Sequence, residues 1–410
     1  MTEFFNVLPP SEALAMLLQR LEATIVSDLV PTIDALGRVT LQDVASTEDL
    51  PAFPRSTMDG YSVRSADTFG ASESIPAYLE IVGEVPMGRP SELQLSVGQV
   101  AGAYTGGMLA NGADAVSMVE HTQTVDESTI EVLRPVASGE NVVQVGEDIR
   151  VGDTVIRKGR NVRPEDIGGL LALGITEVEV ARRPRVAIVS TGDELVPPNS
   201  SPGPGQVRDI NTYTISALVE QSGGVPLPIA MVSDDYEAQR AAAARGLSEG
   251  DVLVFSAGSS VSSRDLTAAV FADLGEPGVL AHGIAHKPGK PTLIAILNGK
   301  PAFGLPGNPV SAMVVFDMVV RPTVYALLGC TLPPEPRTVK ARLQRDIPSV
   351  AGREDHVQVR LITENGLIQA DPVFGKSNLI YTVVRADGSV TVPLDKGGLY
   401  AGEEVDVRVY

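Results

Sequence analysis

Two lysines separated only by a proline and a glycine, Lys287 and Lys290 in HKPGKP, stand in a chain whose formal net charge is −19. Pro288 and Gly289 make the link a short, stiffened turn, so two ammonium groups face one small region. Positive charge gathered in so acidic a protein points to an anionic ligand. A few residues on, Leu305, Pro306, Gly307, Asn308 and Pro309 form a second turn before an apolar stretch over 310–328. Asn308 suits a helix N-cap and Pro309 the first helical position. Unpaired backbone N–H groups at such a helix start attract phosphate or another oxoanion. Either turn alone also reads as ordinary turn chemistry with surface lysines, and their closeness within 282–309 favours the anion site.

Carboxylates form a second constellation. Asp59 sits in STMDGY, Asp148 in GEDIR, Asp209 in RDIN, and Asp265 follows a small-residue loop that begins at Ser256. Oxygen ligands of this kind suit Mg2+, which is commonly held by one or two carboxylates together with substrate phosphates. Lysines and a metal together stabilise charge at a scissile phosphoanhydride. Taken singly, each aspartate equally suits a turn or cap, where Asp satisfies local backbone groups, and that reading stays open. Other chemistries find little support. The four histidines include no HExxH pair and read as structural or surface residues; Pro291 after Lys290 breaks any phosphate-binding GxxxxGK[ST]; the glycines at 203 and 205 lack the third member of a dinucleotide fingerprint; and Ser259 and Ser260 lie outside any GxSxG elbow.

The elements that must position these groups fall into four segments. Apolar spacing predicts helices over 11–23 and 166–173 and a strand over 177–180, which we group as a discontinuous helical and linker domain, 1–52 with 146–180. Short alternating runs over 78–82, 99–105 and 129–133 make 53–145 a β-rich insertion. Over 181–330 strand, loop and helix repeat, with strands at 186–189, 227–232 and 252–255 and helices at 213–222 and 236–247, which calls for a central parallel α/β domain. After the proline-rich stretch 331–336, alternating runs at 339–343, 356–362, 388–392 and 405–410 predict a C-terminal β domain over 331–410. The expected fold class is multidomain α/β plus β. Three loops then fall at strand C-terminal ends: Ser190 to Glu194, Ser256 to Ser260, and Gly304 to Asn308. Ligands bind open α/β sheets at that edge, so agreement among the three predicts a phosphate or oxoanion ligand.

Composition bounds the rest. At 410 residues the chain has room for about two to four domains. With 51 acidic against 32 basic residues, no tryptophan and 4% aromatics, it lacks the basic face and stacking surface of a nucleic-acid partner. Cys330 is the only cysteine, which excludes an intramolecular disulfide or a Cys-rich metal site and fits a reducing cytoplasm. The N-terminal sequence lacks a basic region followed by an apolar one, and the best apolar stretch, 312–320, is interrupted by Asp317, so neither secretion nor a membrane span is expected.

Seven motifs in order carry a resemblance covering nearly the whole chain: LPAFPRSTMDGYSVR from Leu50, GADAV from Gly112, GEDIR from Gly146, PRVAIVSTGDEL from Pro184, GQVRDIN from Gly205, HKPGKP from His286 and GLPGNPVSA from Gly304. Together they resemble the molybdopterin molybdenumtransferases, whose eukaryotic relative is the gephyrin E domain. The resemblance implies a homodimer of four-domain subunits with a C-terminal β barrel. It implies a reaction in which adenylated molybdopterin and molybdate are the substrates, the phosphoanhydride is cleaved, AMP leaves, and molybdenum stays on the dithiolene sulfurs with help from Mg2+. By motif position, Asp59, Asp148, Asp209 and Asp265 become the functional acids, with Asp209 and Asp265 as metal ligands. Lys287 and Lys290 hold phosphate or molybdate, and Pro306, Gly307, Asn308 and Pro309 lend the oxoanion backbone donors. Thr191, Gly192, Asp193 and Glu194, with Ser256, Gly258 and Ser260, line the nucleotide and pterin site. The family's cleft lies between subunits, which puts Asp59 to work on a partner's α/β domain, and a pterin-adenylylating enzyme is the implied supplier.

One departure bears on activity. The family loop is close to SGGVSVGxxD, whereas this chain reads SAGSSVSSRD from Ser256 to Asp265. Added β-carbons restrict φ, while added hydroxyls offer new donors to phosphate. A second departure is His356 in GREDH, where the family tends to have an aromatic residue. Two readings follow: an active molybdenum-inserting transferase, favoured because the acids and lysines are retained, and a non-catalytic pterin-binding or scaffold paralogue. Adenylation of the pterin is a weaker third.

Overall fold

The computed structural model describes residues 7–257, 261–364 and 366–410, the side chains at 257 and 261–265 excepted. Contacts group the chain into two units, Met1–Gln42 with Lys158–Arg163 and Glu177–Tyr410, and Asp43–Arg157 with Pro164–Thr176.

In the larger unit, strands Arg185–Thr191, Val225–Val232, Val252–Ala257 and Lys300–Pro306 are parallel neighbours, as their near-continuous apolar runs demand. The sheet then changes sense. Leu293–Leu297 and Pro277–His282 add two antiparallel strands beyond Lys300–Pro306, so the expected parallel domain is a six-stranded mixed sheet. The period of two along each strand builds two cores. Val186, Ile188, Val254, Phe303 and Leu305 pack one face against helix residues Ile215, Val219, Ala312 and Val315. Ala187, Val189, Leu253 and Phe255 pack the other against Ala242, Ala243 and Phe271. Helix Pro10–Arg20 joins the first core through Ala13 and Leu17, both fully buried.

The apolar stretch after Asn308 becomes one continuous helix, Pro309–Leu327, long and apolar enough to cross a membrane by length and composition. It does core work instead: Val315, Phe316, Val319, Val320 and Val324 are wholly buried, at roughly 1.5–3 kcal/mol for each large side chain. Asp317 is satisfied by Arg321 at 2.7 Å and Arg408 at 3.0 Å.

Beyond the proline-rich stretch, Thr338–Leu343, Glu354–Glu364, Leu367–Pro372, Gly388–Val392 and Glu404–Val409 close into a five-stranded barrel, because Glu354–Glu364 pairs with both Leu367–Pro372 and Gly388–Val392. Val359, Ala370, Val390 and Val407 fill it. A two-residue strand, His286–Lys287, adds in parallel to its Glu354–Asp355 edge, so a segment of the α/β region becomes part of the barrel sheet.

The smaller unit is also rich in β structure and takes in residues on both sides of 53–145, where the β-rich insertion was expected. Its six-stranded sheet runs Ala115–Met118, Gly60–Val63, Gln99–Ala103, Ala77–Glu84, Thr129–Val132, Thr122–Thr124, around Val63, Leu79, Val100, Ile130 and Val132.

Candidate functional site

Register decides what meets at the sheet edge. Ser190 lies beside Ser256, and Ser256 beside Leu305, so the loops after Thr191, Ala257 and Pro306 leave from one line. Asn211, the first residue of helix Asn211–Gln221, ties two of them together. Its Nδ2 donates to Ser256 Oγ at 2.7 Å and to the Gly307 carbonyl at 2.8 Å. Its Oδ1 is buried without a partner among the described residues, as is Thr191 Oγ1. A buried polar atom left unpaired costs about 1–3 kcal/mol, so both mark an edge built to meet polar groups from outside.

Asp209, 6% exposed, sits beneath this edge with both carboxylate oxygens engaged. Oδ1 accepts from the Thr212 N–H at 3.1 Å and Ser190 Oγ at 3.3 Å, and Oδ2 from Thr212 Oγ1 at 2.6 Å. In this arrangement it anchors the helix start. Gly192, at φ +149, bends the chain so that a Cβ would stand 2.7 Å from the Glu194 carboxylate. Asp193 accepts from the Asp234 N–H at 3.2 Å. Asp234 stands at the surface, yet its carboxyl is raised from its ordinary value, by partial desolvation and then by the Asp193 and Glu194 charges. At so open a position the like charges are the cause that counts.

The lysines line a cavity of about 660 Å³ whose other wall is the barrel. Gly289 lets their turn lie against the core helix: at φ +120 it takes a conformation side chains avoid, and a Cβ there would collide with Val315. Thr292 Oγ1 pins the Gly289 carbonyl at 2.7 Å. From the barrel come Arg353, Lys376 and Ser377, so among the described residues four cations face one acid, Asp355. Arg353 grips Asp355 through two nitrogens at 2.6 and 3.0 Å, whereas Lys287 Nζ is 3.8 Å away and 61% exposed, free to turn to a ligand. Pro306 and Asn308 share this lining, which joins the cavity to the sheet edge.

The turn itself differs in detail from expectation. Asn308 is the N-cap by backbone, but its side chain makes no cap; Nδ2 donates to Ser377 Oγ at 3.0 Å. The Val310 N–H, one of the donors expected to be free, goes to the Ser377 carbonyl at 3.2 Å. Pro306 and Pro309 have no N–H to give.

In the smaller unit Asp59 is exposed and lines a cavity of about 520 Å³ with Tyr61, Glu84 and Tyr104. Its Oδ1 accepts from the Thr105 N–H at 2.8 Å and the Thr105 hydroxyl at 2.9 Å, which hold the carboxyl below its ordinary value. Asp148 is exposed, with its N–H on the Leu50 carbonyl at 3.0 Å. Gly258, Ser260 and the side chain of Asp265 lie outside the described residues.

Three family models match the chain in order: the MoeA N-terminal region (domain I and II) over residues 8–174, a "Probable molybdopterin binding domain" over 187–326, and the MoeA C-terminal region (domain IV) over 340–410. Molybdopterin molybdenumtransferases from a Nostoc species and from Bacillus subtilis are each 31% identical to it, the first over 93% of this chain and 91% of its own length, the second over 91% and 87%. The chain belongs to the MoeA family. A solved molybdopterin biosynthesis MoeA protein from Pyrococcus horikoshii OT3 superposes with a TM-score of 0.85 at 31% identity, covering 99% of this chain and 100% of that one.

Set on the MoeA models, the sheet edge and both turn lysines fall in the molybdopterin-binding match, while Arg353, Lys376 and Ser377 come from the domain IV match. Those last three escaped the sequence reading. GRED and FGKSN each place a cation among turn-forming residues, but nothing linear says that two turns far downstream close the lysine pocket.

Proposed function

We propose that this chain is a molybdopterin molybdenumtransferase that inserts molybdate into adenylated molybdopterin and releases AMP. The observation that carries the reading is the cationic cavity of Lys287, Lys290, Arg353 and Lys376, opening through Pro306 and Asn308 onto a sheet edge with unpaired buried polar atoms. Lys287, Lys290 and Lys376 supply mobile positive charge for molybdate or phosphate oxygens. Arg353, fixed by Asp355, supplies an oriented pair of donors and keeps that acid from repelling the anion. Asn211 Oδ1 and the Thr191 hydroxyl are placed to meet pterin or nucleotide N–H and carbonyl groups.

Asp193, Glu194 and Asp234 place like charges near the sheet edge that a hard ion such as Mg2+ would relieve, but their carboxylates do not converge into a three-ligand set. Asp209 fits a first-sphere role less well, its oxygens being already engaged. Bound beside substrate phosphates, Mg2+ supplies charge neutralisation at the scissile phosphoanhydride. Asp59 and Asp148 are exposed acids available to position water or metal. We further assign a homodimer, supply of the adenylated pterin by a pterin-adenylylating enzyme, and a cytoplasmic location in keeping with a single half-buried cysteine.

The test is AMP release from adenylated molybdopterin in the presence of Mg2+, with and without molybdate. Molybdate-dependent release that falls about 100-fold or more in Lys290→Ala supports the reading. Tight nucleotide binding without release, unchanged by that substitution, overturns it in favour of a pterin-binding scaffold.

A further inference from the structure

His286, Glu354 and His356 have no role in the oxoanion chemistry above, although both histidines line the same cavity, and the three form a cluster within it. The parallel pairing sets His286 directly opposite Glu354, and His356 follows two residues along the same strand, so all three project from one face of the ladder. One ligand atom from each lies within 4.8 Å of the others. His356 Nε2 is 3.1 Å and His286 Nε2 4.0 Å from Glu354 Oε1. The two imidazoles meet edge to face with centroids 4.6 Å apart.

The state of His286 is the telling detail. Its side chain is fully buried, and Nδ1 lies 2.6 Å from the Pro288 carbonyl, which can only accept. The proton therefore sits on Nδ1 and the lone pair on Nε2, pointing at the cluster, where it has no hydrogen-bond partner among the described residues. An imidazole oriented through a carbonyl on its second nitrogen, with its free nitrogen buried and unsatisfied, is what a metal-ligating histidine looks like before the ion arrives. Zinc at about 2.0–2.1 Å from each ligand in a tetrahedral set places donors roughly 3.3 Å apart, between the two separations to Glu354.

We propose that His286, Glu354 and His356 bind one first-row divalent ion, preferentially Zn2+, at the seam between the α/β region and the barrel. Two imidazoles and a carboxylate are a donor set suited to zinc and not to Mg2+ or Ca2+, and three protein ligands leave a fourth position for water. Zinc there fastens strand His286–Lys287 to strand Glu354–Glu364, and so fixes the spacing between Lys287 and Arg353 across the oxoanion cavity. The site is independent of whether the chain turns over pterin.

The experiment is a Co2+ titration of the full, chelator-treated chain followed by visible absorption, then displacement by Zn2+, repeated on His356→Phe and Glu354→Ala. Neither residue is fully buried, and thermal unfolding of the metal-free variants checks that they fold. Expected are saturation at one equivalent with tetrahedral Co2+ bands, displacement by Zn2+, and at least about 10-fold weaker binding in each variant. A rise in unfolding temperature with Zn2+ should be seen in the parent chain and not in His356→Phe. Absence of a saturable band, or Co2+ affinity unchanged in either folded variant, overturns the proposal.

Discussion

Lys376 shows how much one exposed side chain can carry when its neighbours are already paired. Arg353 is committed to Asp355, so the cavity's free charge rests on Lys287, Lys290 and Lys376. Lys376→Ala should weaken molybdate binding on the order of 10-fold or more, the effect of losing a hydrogen bond to a charged group, with no change in unfolding temperature because the residue is exposed. Calorimetric titration of molybdate checks this. Asp209 is the opposite case. Its oxygens hold Thr212 and Ser190, so Asp209→Ala should cost about 1–2 kcal/mol of stability as a lost helix anchor, read from the thermal transition.

Elements differ in how plainly the sequence announces them. Strand Arg185–Thr191 is legible because an apolar run ends in Ser, Thr and Gly, and helix Tyr236–Glu249 because 236–247 falls in the strand–helix alternation; its cap, Asp235 accepting from the Ala238 N–H at 2.9 Å, emerges only in the structure. The two antiparallel strands are not, because Pro277–His282 and Leu293–Leu297 flank the lysine turn and read as its approaches. Asn308 was legible as a helix start but not in its use, since whether an amide caps its own helix or reaches a distant serine depends on what lies opposite. The lysine turn gives the element-scale prediction. Gly289→Ala combines left-handed φ with a collision against Val315 and should cost about 2–4 kcal/mol, whereas Gly299→Ala, at φ +82 with open space around it, should cost only about 1 kcal/mol. Unfolding midpoints of the two variants make the comparison, and equal losses would contradict the packing argument.

Across the molecule, charge that looks like surplus is partly structural. Asp251 accepts from Arg182 at 2.9 Å and from the Arg185 N–H at 2.7 Å. Burial alone would raise its carboxyl, but those bonds outweigh it and the value is lowered. A depressed carboxylate contributes stability that is fully present above its unfolded value and is lost as pH falls through the folded one. Asp251→Asn should therefore unfold at lower temperature than the parent at neutral pH, the gap closing below about pH 4. The family was legible through seven short motifs, yet the complete oxoanion pocket was not, because half its cations lie in the barrel and only the folded register brings them to Lys287.

A pocket with surplus positive charge inside a chain of net charge −19 also sets the kinetics of capture. An approaching anion first meets the repulsion of the whole molecule and feels the lysines only within the last ångströms. Added salt, with a Debye length of about 10 Å at 0.1 M, screens the distant repulsion more than the close attraction. Between very low and moderate ionic strength, the association rate of molybdate should therefore rise, the reverse of ordinary charge-steered binding, while its dissociation rate changes little. The protein excludes anions from a distance and keeps those that reach the pocket.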